Sequence, residues 1–314
     1  MRKLTARTSQ CFVCAMVLLF MCVGAYAARA NANASVIPFQ VREISGKRPV
    51  VHVQLNGHGF DMVVHANAAF FMQINHAEAK TVRVEGAQHV GSFGIEAPGK
   101  VSSLGLDRAR LGLLKIGDKQ YRDVPVSVFE TPGKQPGMLG LDWIRASRAV
   151  VDFGKSQLLL DPSTTQIAAL RQHLLSNGYV AIPIREEPGT GKYEVDVSIG
   201  DATRRMMIST VAALNIDEDF ARAGGVKSGK VIGRNAGPKG ATENAYSTAQ
   251  SVTLRIGQWT SDPINNAVVE DVYTYASKER PLENPEGGLL GADFMIAYRA
   301  VIDFGGSVLY LKKR

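Results

Sequence analysis

One segment of this chain is written twice. Gly137-Met-Leu-Gly-Leu-Asp142-Trp-Ile-Arg-Ala-Ser-Arg148-Ala-Val-Val-Asp152-Phe-Gly154 returns, without a gap, as Gly288-Leu-Leu-Gly-Ala-Asp293-Phe-Met-Ile-Ala-Tyr-Arg299-Ala-Val-Ile-Asp303-Phe-Gly305. The match runs on through Ser156-Gln-Leu158-Leu-Leu160 and Ser307-Val-Leu309-Tyr-Leu311. A repeat of this length implies two units of one kind, each burying its apolar face in the same way. Upstream, Val51-His-Val-Gln-Leu55-Asn-Gly57 and Tyr193-Glu-Val-Asp-Val197-Ser-Ile-Gly200 both alternate apolar and polar residues before a turn glycine. Leu114-Lys-Ile-Gly117 with Val124-Pro-Val-Ser-Val128 is likewise paralleled by Leu254-Arg-Ile-Gly257 with Ile264 and Ala267-Val-Val269. Period-two alternation closed by Gly predicts strands and hairpins. Between the copies, Ser163 opens a stretch with apolar Ile167, Leu170 and Leu174 that Asn177-Gly178 closes, which predicts a short helix. The expected plan is an all-β chain with lobe one at 36–162, a linker helix at 163–178 and lobe two at 179–314. Two copies in one chain supply the twofold pairing that single-copy chains obtain by association, so a monomer is expected.

The N-terminus sets the compartment. Arg2, Lys3 and Arg7 precede an uncharged apolar stretch from Cys11 to Gly24, and Ala25-Tyr26-Ala27 offers a small-x-small cleavage site. This predicts a cleaved signal peptide over 1–27, with cleavage options up to Ala34, and a periplasmic or secreted protein. The stretch is short for a bilayer span, which takes ~20 residues, so no stable membrane span is expected after cleavage. Cys11, Cys14 and Cys22 all lie inside the segment. The mature chain then has no thiol, which excludes disulfides, thiolate metal sites and cysteine nucleophiles. Removing Arg2, Lys3 and Arg7 lowers the net charge from +7 to +4, and the remaining cations are scattered. Nucleic-acid binding needs a clustered basic stripe with stacking aromatics, and none is visible.

The repeated pattern resembles that of the retropepsin-like aspartic peptidases in their two-copies-per-chain form. That pattern is a strand ending in apolar-x-Gly, then apolar-apolar-Asp-Thr-Gly-Ala, a flap hairpin, apolar-Leu-Gly-x-Asp and Val-Ile-Asp-Phe. The downstream half stands intact at Leu139-Gly140-Leu141-Asp142 and Leu290-Gly291-Ala292-Asp293, each followed by Val-Val/Ile-Asp-Phe. The resemblance implies an all-β, bilobal, aspartic-peptidase-like fold, with two β-barrel lobes related by a pseudo-twofold. It also implies a catalytic floor where two carboxylates share one proton and activate a water. The loop threonines would lock the two loops together, and the glycine would permit a turn that a Cβ resists.

This chain departs from the pattern at the chemistry. In lobe one, Asp-Thr-Gly-Ala is replaced by His65-Ala66-Asn67-Ala68. In lobe two, Ser209-Thr210-Val211-Ala212 stands there. Both aspartates and both glycines are gone, and one threonine remains. Asn67 tolerates a left-handed backbone, whereas β-branched Val211 does so poorly, so the second loop is expected to have changed shape. Asp142, Asp152, Asp293 and Asp303 occupy structural positions, and Asp152 and Asp303 are expected to accept backbone N–H bonds in turns.

The reading is therefore a non-catalytic pseudopeptidase whose cleft binds an extended peptide or protein partner, with no cofactor. The alternative is a hydrolase, through an unplaced acid or through His65 and Ser209 facing each other as base and nucleophile. Against that pair, no Gly-x-Ser-x-Gly elbow surrounds Ser209. Five histidines (His52, His58, His65, His76 and His89) fall in lobe one without tight ligand spacing. They read as scattered surface residues, with no metal site. Gly91-Ser-Phe-Gly94 with Pro98-Gly99, and Gly233 through Gly240, are candidate flaps suited to strand-like capture of a peptide.

Overall fold

The computed structural model describes residues 34–132, 135, 137–276 and 278–312; the signal segment 1–27 and its three cysteines lie outside them. Lobe one begins with β1 (Ser35–Pro38), β2 (Gln40–Glu43), β3 (Lys47–Leu55), β4 (His58–Val64) and β5 (Met72–Ile74). After α1 (His76–Val82) come β6 (Glu85–Gly91), β7 (Ile95–Ala97), β8 (Lys100–Val101), β9 (Leu106–Ile116), β10 (Lys119–Val128) and β11 (Gly137–Leu139). It closes with α2 (Leu141–Ala146), β12 (Val150–Asp152) and β13 (Gln157–Leu160), and α3 (Thr164–Ser176) connects the lobes. Lobe two opens with β14 (Tyr179–Pro183), β15 (Arg185–Glu186), β16 (Tyr193–Ile199), β17 (Ala202–Ile208) and β18 (Asn215–Asp217). Next are α4 (Glu218–Ala223), β19 (Ser228–Ala236), β20 (Thr242–Thr248), β21 (Arg255–Ile256), β22 (Trp259–Thr260) and β23 (Val268–Glu270). The chain ends with α5 (Val272–Ala276), β24 (Glu286–Leu290), α6 (Ala292–Ala297), β25 (Val301–Asp303) and β26 (Val308–Lys312).

The architecture is all-β and bilobal, with one connecting helix. Lobe one runs β3-β4-β11-β5-β10-β9-β6 and lobe two β16-β17-β24-β18-β23-β20-β19, the same order. In both, the strand of the repeated motif lies parallel to the one before the loop and antiparallel to the one after it. A third sheet, β1-β13-β12-β25-β26-β14, takes three strands from each half. Its centre is the antiparallel pairing of Val151 with Ile302, and Val150-Val-Asp152 mirrors Val301-Ile-Asp303 across it. Asp152 Oδ1 accepts from Lys155 N at 2.9 Å and Asp303 Oδ1 from Gly306 N at 2.8 Å. These are the turn roles read from the sequence. The helix α3 starts in a capping box, with Ser163 and Gln166 each satisfying the other's backbone N–H. Leu174 of α3 packs with Val150, Val301 and Tyr310 of the shared sheet.

The lobes also differ. The continuous β9–β10 hairpin of lobe one is broken in lobe two into the β20–β23 pairing and the two-residue strands β21 and β22. Pro263, which has no N–H to donate, follows that hairpin, and the chain returns through an isolated Val252–Ile264 bridge.

The Leu-Gly of the repeated motif has a steric reason. A Cβ at Gly140 would collide with the carbonyls of Phe70 and Ala68, and one at Gly291 with those of Ala213 and Ala212. The glycines let the loop lie directly on the end of the motif strand. Gly140→Ala and Gly291→Ala should each lower stability by about 2–3 kcal/mol, from overpacking against rigid backbone. Urea unfolding measures this, and unchanged midpoints would contradict the close approach.

Candidate functional site

The repeated strands bring the two loops to the lobe boundary. β4 and β17 end at Val64 and Ile208, and the next residues are held alike: His65 N donates to Leu139 O at 2.8 Å, and Ser209 N to Leu290 O at 3.0 Å. His65 and Ser209 are therefore equivalent positions, each entering its loop from the same point of the same sheet.

Thr210 joins the loops. Its hydroxyl donates to Val64 O at 2.6 Å and accepts from Ala66 N at 2.9 Å, both in the opposite lobe. Thr210, Val64 and Ala66 are all buried, so these bonds stand in for water at both backbone groups. Ala66 carries no hydroxyl to return the interaction, so the lock is one-sided.

The second loop has the changed shape anticipated from Val211, by a different route. Gln73 pairs with Met138 and Asn215 with Leu289, which are equivalent pairs. Residues 66–72 span the interval in lobe one and residues 210–214 in lobe two, so the second loop is two residues shorter. Neither Asn67 nor Val211 is left-handed; Ala212 takes that conformation instead, with φ 68°. Val211 is thereby free to turn its side chain into an apolar cluster with Val50, Val63, Phe129 and Met138 of lobe one. A β-branched residue in the place of the glycine thus fills space between the lobes.

The polar atoms of the floor are mostly committed locally. Ser209 Oγ donates to Val211 O at 3.0 Å and accepts from Val211 N at 3.3 Å. His65 Nδ1 accepts from Asn67 N at 3.3 Å, an arrangement that leaves the proton of the neutral ring on Nε2. Among the described residues no hydrogen bond joins His65 to Ser209. The His65 ring keeps some solvent access, yet it is densely surrounded. Burial first, then the positive charges of Arg48 and Lys192, lower its pKa to about 3. The imidazole is neutral at any ordinary pH. Asn67 Oδ1 is buried, with no partner among the described residues.

Acids near the floor have other work. Asp142 is exposed and lies near Arg145. Asp293 accepts from Phe294 N at 2.6 Å, and burial raises its pKa. Glu270 stands where lobe one has Phe129 and is buried. The amides of Asn215 and Asn235 donate to its two oxygens, and burial, opposed by the Asn235 bond, raises its pKa.

The candidate flaps meet over the floor. The β7–β8 hairpin turns at Pro98-Gly99 and the β19–β20 hairpin at residues 237–241. Gly94 N donates to Pro238 O at 2.9 Å, from one lobe to the other. Beneath the lobe-one hairpin, Phe93 stacks edge-on against Phe129 at 4.9 Å, and Phe129 against Phe70 at 6.0 Å.

The histidines are less scattered than their spacing suggests. His52 is an exposed strand residue bonded to Asp61 at 3.1 Å, and His58 begins β4 in the open. His76 and His89, however, converge on Asp107, at 3.5 and 3.0 Å, and His76 also bonds Glu130 at 3.0 Å. The β6–β9 pairing sets His89 opposite Asp107, which sequence spacing cannot reveal. Among the described residues, no group of three such side chains has the geometry to hold a metal ion.

Two functional candidates were not singled out from the sequence. Val50 pairs with Val63 and Glu194 with Met207. Continuing each antiparallel register by two residues sets Arg48 opposite His65 and Lys192 opposite Ser209. The signal was available: each cation precedes its loop-entry residue by the same interval.

No family model matches the chain, and no curated protein matches it. Among solved structures it is similar to the crystal structure of a retropepsin-like aspartic protease from Rickettsia conorii. The identity is 14% and the TM-score 0.29, over 41% of this chain and 94% of that one. No helix among the described residues is long and apolar enough to cross a membrane.

Proposed function

We propose that this chain is an exported, monomeric pseudopeptidase, built from two copies of one retropepsin-like lobe, that binds an extended peptide or protein segment between its lobes without cutting it. The observation that carries this reading is the Thr210 lock, which holds both loops in register while neither loop-entry position bears a carboxylate. A water-activating pair must cycle one proton between two similar oxygens. A neutral imidazole and a hydroxyl bonded to its own loop do not do so. The hairpins that meet through Gly94 and Pro238 support capture of a strand-like ligand beneath them. Export rests on the N-terminal segment and monomeric state on the paired lobes.

The test is incubation of the pure mature protein with an unfolded protein substrate from about pH 3 to 8, with and without a peptidomimetic aspartic-peptidase inhibitor. No cleavage is expected at any pH. Acid-range, inhibitor-sensitive cleavage would sink the reading. Cleavage that Ser209→Ala abolishes would favour a hydrolase through His65 and Ser209. His65→Asp alone should give no activity, because Ser209 supplies no second carboxylate.

A further inference from the structure

The loop entries have lost their acids, but the strands beside them have kept cations on both sides of the pseudo-twofold. Arg48 and Lys192 are equivalent, each set opposite a loop-entry residue when the strand register is continued two residues past Val50–Val63 and Glu194–Met207. Residues opposite each other across an antiparallel pair share a face of the sheet. That face in lobe one carries Val50 and Val63, which cluster with Val211 of lobe two and Phe93 of the hairpin. It is therefore the face turned to the lobe boundary. The stem of Arg48 is fixed by a 2.6 Å bond from Nε to Ile44 O. Lys192 is partly buried, and among the described residues its ammonium makes no ion pair within 4 Å and no side-chain hydrogen bond.

The acids around Lys192 are engaged elsewhere. Glu187 accepts from the backbone N–H groups of Gly189 and Thr190 and from the Thr190 hydroxyl. Glu286 is bound by Lys278, whose like charge repels that of Lys192, while Glu286 and Glu187 attract it only through space. A partly buried, unpaired ammonium is unfavourable unless an anion meets it. With two carboxylates at the loop entries it would have had them. With His65 and Ser209 there instead, the floor has reversed its sign.

We propose that the floor between the lobes is a carboxylate-binding site, in which Lys192 and Arg48 take an acidic side chain or the terminal carboxylate of the bound peptide. This rests on the peptide-binding reading and names the chemical class of its ligand. A charge-assisted hydrogen bond from Lys192, out of bulk water, discriminates a carboxylate from its amide more strongly than a surface contact does. Asn67 Oδ1, buried without a partner among the described residues and able only to accept, lies in the same loop as His65 and suits a backbone N–H of the peptide, not its carboxylate.

The experiment is an array of immobilised decapeptides with alternating apolar residues. The central position is Asp, Glu, Gln or Lys, and the C-terminus is free or amidated. Full-length mature protein is applied as wild type, Lys192→Met and Lys192→Arg. Peptides with central Asp or Glu, or only those with a free terminus, should bind, and the two patterns separate the two sources of carboxylate. Lys192→Met should weaken these peptides by about tenfold and leave any neutral binders unchanged, while Lys192→Arg should retain them. Binding should also raise the His65 titration seen by imidazole NMR, since a bound anion offsets the two cations. Equal binding of acidic, neutral and basic peptides would overturn this proposal and leave peptide capture standing. Binding of no peptide would overturn both.

Discussion

Acidifying the protein from pH 6.5 towards 3 should remove stability through one side chain, His65. The unfolded chain takes up a proton near 6.5, whereas the folded ring does so only at about 3. Its folded pKa is depressed, so its contribution is complete above the unfolded value and is lost as pH falls through that window. The full difference corresponds to at most about 5 kcal/mol, and the ring's partial solvent access brings the expected loss to about 2–3 kcal/mol. Buried carboxyls act in the opposite sense. Burial raises the pKa of Glu270, Asp152, Asp303 and Asp293, so each adds stability as pH falls through its folded value. The clean measurement is the difference between wild type and His65→Gln in urea unfolding from about pH 4 to 7. The wild-type curve should drop more steeply, and parallel curves would show that the ring is not held neutral by the fold.

The second large effect should come from Thr210→Val. The substitution keeps the shape and removes the hydroxyl, leaving Val64 O and Ala66 N buried without a partner. Each orphaned group costs about 1–3 kcal/mol, so a loss of about 2–5 kcal/mol is expected. Thr210→Ser should recover most of it. If Val and Ser variants unfolded at the same denaturant concentration, the hydroxyl would not be joining the lobes.

Most of the scaffold was legible in the sequence because two signals agreed. The repeated segment pinned equivalent residues, and period-two alternation in Val51–Leu55 and Tyr193–Ile199 marked strands on either side. Ser163, the apolar steps Ile167, Leu170 and Leu174, and the Asn177-Gly178 stop announced the helix. The loop positions could be located because apolar Val64 and Ile208 fix the ends of their strands. The loop's shape could not be read. Its two-residue shortening is absorbed at Ala212, and small Ala gives no warning of a left-handed backbone. Arg48 and Lys192 were hidden for another reason. A whole hairpin separates each from its loop in sequence, and only antiparallel pairing brings them back. The bulged β6–β9 pairing likewise sets His89 against Asp107, which His76 reaches from the start of α1.

The shared sheet has a consequence for how anything enters the space between the lobes. Because β12 and β25 are hydrogen-bonded to each other in the middle of six continuous strands, the lobes are welded along one edge. Prising them apart would break that ladder and the apolar contacts of Leu174, Val150 and Val301 together. At the opposite edge, the hairpins are held across the gap by the Gly94–Pro238 backbone bond and contact between their tips. Access is therefore a matter of segmental hairpin motion rather than domain rotation. On the proposed peptide-binding reading, capture should be no faster than those tips part.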